Sequence, residues 1–215
     1  MKKNTDSYDE VLSLGKALYD VQIKFKNESA LMKILSWVLF FNKGFMTRYI
    51  TVIGKTVYFP SKQWLYSNRL AAANSLCHEL VHISDQKNVG FFAFGMSYIF
   101  PQWLTLFALT SFMVGPWALV FLLFLAPLPA PFRAFWELRG YAMTDAVMFS
   151  STGRFVDISF LEKQFTGSGY YFMWPFTKSL RSEIENNRKL IKENKLHRKI
   201  VDADQILSAY LEKSD

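Results

Sequence analysis

Two histidines and a glutamate in this sequence have the spacing of a catalytic metal site. His78, Glu79 and His82 form an HExxH pattern near the end of a long helical pattern. Residues four apart lie on one face of a helix, so both imidazoles can point at one metal ion while Glu79 lies beside them. Catalytic zinc takes three protein ligands and keeps its fourth position for water, whose pKa it lowers towards neutrality. The pattern therefore predicts zinc as the cofactor and Glu79 as the general base.

The alternative for this motif is a pair of histidines that only pack against or cap a helix. The chain has 3 histidines, and two of them fall at this spacing with a glutamate between them, which makes that alternative weak. The third, His197, lies in a basic run and is expected at the surface. Cys77, the single cysteine, points about 100° away from the metal face and is expected to pack in the interior. An intramolecular disulfide is excluded.

The composition is unusually apolar for a soluble chain of this length. Of 215 residues, 51% are hydrophobic and 17% are aromatic, which predicts that part of the surface does not face water. The formal net charge of +7 suits an anionic membrane surface as well as nucleic acid. No nucleic-acid-binding motif accompanies this charge. We therefore expect a lipid bilayer, and not nucleic acid, as a partner.

Residues 1–46 are predicted to form amphipathic or interfacial helices. Apolar side chains within residues 7–27 recur at the spacing of one helix face. Residues 31–41 contain an apolar run that is too short to cross a bilayer, so an interfacial or buried helix is expected there.

Residues 47–87 are predicted to contain a β-hairpin followed by the metal-bearing helix. Residues 47–60 are rich in β-branched and aromatic side chains around a turn at Gly54. An edge strand at this place would either pair with a substrate backbone or only cover the core, and the sequence favours neither. From Ser61 the helical pattern continues without glycine or proline as far as Gly90.

Residues 88–132 contain no charged side chain over a run of 45 residues. A single crossing of a bilayer takes about 20 apolar residues, so this length predicts a transmembrane helical hairpin. The turn is expected at residues 110–111 or 115–116. A re-entrant or monotopic hairpin, kinked at Pro101, is the alternative.

The charges that flank this apolar run predict its orientation. Lys87 and Arg133 bracket the run on the side that carries the basic remainder of the chain, whereas its centre is uncharged. We therefore expect the HExxH motif and both termini on the cytoplasmic side of an inner or cell membrane.

Residues 133–215 are predicted to contain a helix that completes the site, followed by further helices. Glu137, Tyr141 and Asp145 fall four apart, on one helix face. This face is the candidate for the other half of the site. The four segments together predict one catalytic domain of the mainly α class with a small β-hairpin (α+β), interrupted by the apolar hairpin.

Asp85 competes with Glu137 for the position of third ligand. It follows His82 by three residues and so shares the metal-facing side of the helix. To reach the ion it would need the chain to turn back directly after His82, and no glycine precedes Gly90 to allow this. We therefore favour Glu137 as the ligand, with Asp85 orienting a histidine from behind.

The order of these parts resembles a known group of enzymes. A strand pair, an HExxH helix, an apolar hairpin and a helix with a glutamate are similar to the membrane-associated gluzincin metalloproteases of the HtpX and CAAX prenyl protease family, over about residues 47–150. The resemblance implies a gluzincin-like catalytic core, with zinc on His78, His82 and Glu137 and with Glu79 as the base. It also implies a peptide or protein substrate, which includes membrane proteins.

The sequence departs from the family pattern at one position of this helix. The family usually carries an aspartate four residues after its ligand glutamate, and Tyr141 stands there instead. Orientation of the histidines then falls to Asp145 or Asp85. Tyr141 itself is a candidate to donate its hydroxyl to the developing oxyanion. The chain is also short for the family, as a minimal or distant member would be.

Three functions fit these features. The first is a membrane-anchored zinc-dependent endopeptidase, and the second is a non-catalytic zinc-binding membrane scaffold, against which the intact HExxH pattern counts. The third is a protease whose site lies inside the bilayer. Lys87 follows His82 by five residues, or about 8 Å of helix, which favours a site beside the membrane over one within it.

Overall fold

The protein is mainly helical, with one small three-stranded sheet beside the helices. The computed structural model describes residues 6–39 and 42–212. At this level the predicted fold class, mainly α with a small β-hairpin, is confirmed. The expectations for the chain termini and for the end of the apolar run at residues 40–41 lie outside the described residues.

The elements follow one another along the chain with these bounds: α1 (Ser7–Tyr19), β1 (Gln22–Phe25), α2 (Ala30–Val38), β2 (Thr51–Ile53), β3 (Thr56–Phe59), α3 (Lys62–Ser67), α4 (Arg69–Val89), α5 (Phe91–Tyr98), α6 (Ser111–Val114), α7 (Pro131–Thr152), α8 (Ile158–Thr166), α9 (Thr177–Lys192) and α10 (Ala203–Leu211). Short 3₁₀ helices lie between them: Lys26–Glu28, Gln102–Thr110, Pro116–Leu125, Ser168–Tyr170 and Leu196–Arg198.

The first helix ends earlier than its apolar spacing predicts, and a strand follows it. Asp20 adopts a left-handed backbone with φ of 57°, and its N–H donates to the carbonyl of Lys16, which ends α1. β1 then pairs in parallel with β3. The prediction of helices alone in residues 1–46 was therefore wrong for this segment. Its pairing partner lies far along the chain, so a local pattern could not show it.

The β-hairpin is confirmed. β2 and β3 pair antiparallel, with Val52 opposite Val57, and Gly54 in the turn has φ of 59°, a conformation that glycine adopts without strain. The strand order β1-β3-β2 makes β3 the central strand, and its side chains from Val57 to Phe59 are buried. β2 is an edge strand, and it contacts α4.

The centre of the molecule is the contact between α4 and α7, and α1 and α10 cover other sides of α4. Leu76 and Leu80 of α4, Met143 of α7 and Ile206 of α10 are fully buried in one cluster. Burial of each such side chain contributes about 1.5–3 kcal/mol. α4 begins after a break at Asn68 and ends before Gly90. Because the long helices pack along much of their length, they hold side chains from distant parts of the chain in fixed positions.

The charge-free run folds into short helical pieces. Within residues 6–39 and 42–212, no single helix is long and apolar enough to cross a membrane, but one pair of helices, Phe91–Tyr98 and Gln102–Val114, meets the length and composition together with a bend of 89°. The 3₁₀ helix Pro116–Leu125 packs back against Gln102–Thr110. Gly115, at one of the two turn positions expected from the sequence, lies between them with φ of 105°.

Candidate metal centre

His78, His82 and Glu137 meet where α4 packs against α7. One donor atom from each lies within 4.8 Å of the others. The Nε2 atoms of the two histidines are 3.1 Å apart, and the carboxylate of Glu137 lies 3.5 Å from His78 Nε2 and 3.7 Å from His82 Nε2. All three side chains are buried. This group could hold a metal ion.

The donor atoms fit a divalent ion in both their chemistry and their spacing. Two imidazole nitrogens and one carboxylate oxygen form a donor set of catalytic zinc sites. Two ligands at about 2.1 Å from an ion in tetrahedral geometry are about 3.4 Å apart, close to the separations in this group. Oε2 of Glu137 is buried and accepts no hydrogen bond from the described residues. A buried carboxylate oxygen without a donor is costly unless a cation satisfies it.

Gly140 allows α7 to approach the histidines this closely. A Cβ atom at this position would lie 2.5 Å from His78 Nε2. Glycine inside a helix costs about 1 kcal/mol relative to alanine, so α7 carries a local penalty at this point. The penalty is offset by the contact that the missing side chain permits between the α7 backbone and the imidazole of His78.

Thr144 orients His78, a role that the sequence interpretation missed. Its Oγ1 lies 3.3 Å from His78 Nδ1, and its hydroxyl donates to the carbonyl of Gly140 at 3.2 Å. With that proton directed at the carbonyl, Oγ1 accepts from Nδ1–H, which leaves Nε2 free as the ligand atom. Thr144 lies seven residues after Glu137, on the same helix face, and this spacing is the signal that could have found it.

The two aspartates expected to orient the histidines have other partners, which corrects that prediction. The carboxylate of Asp85 accepts from Arg139 at 2.6 and 2.9 Å. Asp145 accepts from Arg188 at 2.8 Å and from the N–H of Val156 at 2.9 Å. Both carboxylates are buried, and a buried charge needs a counter-charge and hydrogen-bond donors. The arginines supply these, so both aspartates serve the packing around the site.

The packing of the helices brings Glu137, and not Asp85, to the two histidines. Glu137 joins the donor group with His78 and His82, whereas Asp85 is paired with Arg139. α4 continues without interruption to Val89, so Asp85 stays on the helix and does not turn back towards the ion.

Glu79 lies beside the donor group in an environment that suits a general base. The pKa of its carboxyl is raised to about 7, mainly by burial. The charge of Glu137 also raises this pKa, whereas the nearby His78 and Lys26 lower it. Among the residues that the structure describes, none donates a hydrogen bond to this carboxylate. A carboxylate with a pKa close to neutral takes and returns a proton readily at the pH of a cell.

The protonation of the ligands also suits metal binding. Burial lowers the pKa of His82 to about 4, which keeps the imidazole neutral, the form that binds metals. Burial alone would raise the pKa of the Glu137 carboxyl, but the close approach of His78 and His82 and the hydroxyl of Tyr98 outweigh burial and lower the pKa to about 2, so the carboxyl is ionised.

Tyr141 lines the site without binding a ligand atom. Its ring packs edge-on against His78, with the ring centres 4.9 Å apart, and its hydroxyl lies 3.3 Å from that of Tyr170. Burial raises the pKa of Tyr141 far above its usual value, so the phenol stays protonated and able to donate. Its proposed contact with an oxyanion stays a prediction.

Tyr98, at the end of α5, is a second residue that the sequence interpretation missed. Its hydroxyl donates to Oε1 of Glu137 at 2.5 Å. It belongs to the apolar run, which the sequence analysis assigned to a membrane, and no spacing relates it to the HExxH motif.

The predictions for two residues outside the site are confirmed. Cys77 packs in the interior, and His197 is exposed at the surface beside Asp204.

Known proteins do not decide the function, since no family model, curated protein or solved structure matches the chain. The function must therefore be argued from two features of the site. It has three buried donors for a metal ion and, next to them in sequence, a carboxylate whose pKa is near neutral. These two features together are the basis for proposing a function.

Proposed function

We propose that the protein is a membrane-anchored zinc-dependent endopeptidase, a minimal relative of the gluzincin metalloproteases of the HtpX and CAAX prenyl protease family. The observation that carries this proposal is the buried group of His78, His82 and Glu137 with Glu79 beside it on α4. The arrangement has the donor set of a catalytic zinc ion and a base within the same turn of helix.

The chain's own residues have defined parts in this reaction. Zinc, when bound, supplies a Lewis acid that activates water and polarises the scissile carbonyl. His78 and His82 would hold the ion through Nε2, and Glu137 would hold it through a carboxylate oxygen. The carboxylate of Glu79 takes the proton of the attacking water and passes it to the leaving amine. We assign to Tyr141, whose phenol remains protonated, the donation of a hydrogen bond to the oxyanion.

The number of donors supports catalysis over a scaffold role. Structural zinc sites usually enclose the ion with four protein ligands, whereas catalytic sites use three and keep one position open. Among the described residues the group contains three donors.

The apolar run supports the membrane part of the proposal. Residues 88–132 carry no charge, and Phe112 and Met113 are 92% and 88% exposed at its tip. Exposed apolar surface of this kind fits a bilayer better than water. We place the site and both termini beside the cytoplasmic face of an inner or cell membrane, with peptides or proteins, including membrane proteins, as substrates. Carbonate extraction tests whether the protein is anchored in the membrane. Release of the full-length protein without detergent would contradict membrane anchoring.

Substitution of the base tests the catalytic part. We expect Glu79→Gln to abolish cleavage of a generic fluorogenic peptide and to keep zinc near the wild-type content, because Glu79 is a base and not a ligand. Glu162→Gln is the matched control, since Glu162 pairs with Arg181 at the surface and should retain full activity. A Glu79→Gln protein that cleaves at the wild-type rate would end the protease proposal.

A further inference from the structure

The two oxygens of the Glu137 carboxylate have different surroundings. Oε1 accepts the hydroxyl of Tyr98 at 2.5 Å. Oε2 accepts no hydrogen bond from the described residues and lies 3.5 Å from His78 Nε2. Oε1, which also lies 3.7 Å from His82 Nε2, is therefore held by the hydroxyl of Tyr98, whereas Oε2 faces His78 Nε2 with no donor of its own.

Several contacts fix Tyr98 in this position. Its ring stacks on Phe94 with the ring centres 5.8 Å apart. Its backbone carbonyl accepts from Arg133 Nε at 2.9 Å, and the neighbouring Ser97 accepts from Trp136 Nε1 at 2.9 Å. Arg133 and Trp136 belong to the same helix as Glu137, so the end of α5 is tied to the part of α7 that carries the ligand.

We propose that Tyr98 is a positioning residue of the metal centre, which holds Oε1 of Glu137 so that the carboxylate binds the ion through Oε2 alone. The inference rests on the proposed zinc site and specifies how its third ligand is held. Because Tyr98 belongs to α5, the apolar run contributes directly to the metal centre, in addition to any contact with a membrane.

The physical reason is the freedom of an unrestrained carboxylate. A glutamate side chain has three rotatable bonds before its carboxylate, and the terminal torsion is broad. A charge-assisted hydrogen bond from a buried phenol removes that freedom and occupies one oxygen. Without it, Glu137 can rotate away or bind with both oxygens. Loss of an outer hydrogen bond to a ligand typically weakens metal binding by about 10–100-fold.

The test is the full-length protein in detergent with Tyr98→Phe, which keeps the ring and removes only the hydroxyl. The zinc dissociation constant is measured by competition with a chromogenic chelator, and we expect it to rise by about 10–100-fold. The visible absorption of the Co²⁺-substituted protein should also weaken, because a carboxylate that binds with both oxygens raises the coordination number above four.

Trp136→Phe is the matched control. It removes one hydrogen bond between the same two helices, to Ser97, and leaves Tyr98 and Glu137 in contact. We expect wild-type zinc affinity and a wild-type Co²⁺ spectrum for this variant, with circular dichroism to show that both variants are folded.

Three results would overturn the inference. Wild-type affinity and spectrum in Tyr98→Phe would show that the hydroxyl does not position the ligand. Equal losses in Tyr98→Phe and Trp136→Phe would assign the effect to loosened packing between α5 and α7. A wild-type protein that binds neither zinc nor Co²⁺ would remove the proposed zinc site itself, a failure distinct from the first two, in which the site remains.

Discussion

Replacement of Gly140 by alanine tests the packing that brings the candidate metal ligands together. The new Cβ would lie 2.5 Å from His78 Nε2, about 0.9 Å closer than the ordinary contact limit of 3.4 Å. Either the imidazole or α7 must move by that amount. The substitution gains about 1 kcal/mol in helix propensity and loses about 1–3 kcal/mol to overpacking. The metal-free protein should therefore lose no more than about 2 kcal/mol of stability.

The effect on zinc should be much larger than the effect on folding. Functional groups must be held within about 0.5 Å of their working geometry, and the forced displacement exceeds this. We expect zinc to bind Gly140→Ala at least about 100-fold more weakly, a loss of the size that misplaced ligands cause. Chelator competition measures the affinity, and urea unfolding in excess chelator measures the stability.

Gly95→Ala is the matched control, because Gly95 is also a helical glycine and a Cβ there meets nothing within 4 Å. It should keep wild-type zinc affinity and the same stability or up to about 1 kcal/mol more. If Gly140→Ala binds zinc as tightly as the wild type, the close approach of α7 to His78 is not what shapes the site.

Three further predictions concern the surroundings of the site. Thr144→Val removes the acceptor for His78 Nδ1–H and should weaken zinc binding by about 10-fold, whereas Thr144→Ser should not; equal affinities for the two variants would contradict this role. Arg139→Met leaves Asp85 buried without its counter-charge and should cost about 3–5 kcal/mol in urea unfolding, and a loss below about 1 kcal/mol would contradict it. Burial lowers the pKa of Lys26 from 10.5 to about 8. Between pH 8 and 10.5 the unfolded chain therefore binds a proton at Lys26 that the folded protein does not, so the free energy of unfolding of the wild type should rise with pH relative to that of Lys26→Met. Parallel profiles of unfolding free energy against pH for the two proteins would contradict a buried amine.

Structural features that depend on residues close together in the chain were predicted correctly from the sequence. His78 and His82 share a helix face because residues four apart do so on any α-helix. Gly54 and Gly90 marked a turn and a helix end, because each position takes a positive φ. The strand at residues 22–25 was missed, since its parallel partner β3 gives no signal nearby.

The choice among the carboxylates needed the packed structure. Asp85 is closer in sequence to the histidines than Glu137, yet it pairs with Arg139, 54 residues away. From the sequence, Glu137 was favoured over Asp85 as the third ligand only by a steric argument about the helix after His82. It could not assign the arginines that neutralise Asp85 and Asp145, because such pairs form wherever packing brings buried charges together.

The sequence by itself determined the chemistry of half the site: two imidazoles on one helix face with a carboxylate beside them. That follows from the repeat of a helix, which fixes directions within an element. Only the tertiary structure decided how Glu137 meets the histidines and how His78 and Glu137 are held, through Gly140, Thr144 and Tyr98. These residues act across the contacts of α7 with α4 and α5, and their roles depend on distances between helices that no spacing along the chain specifies.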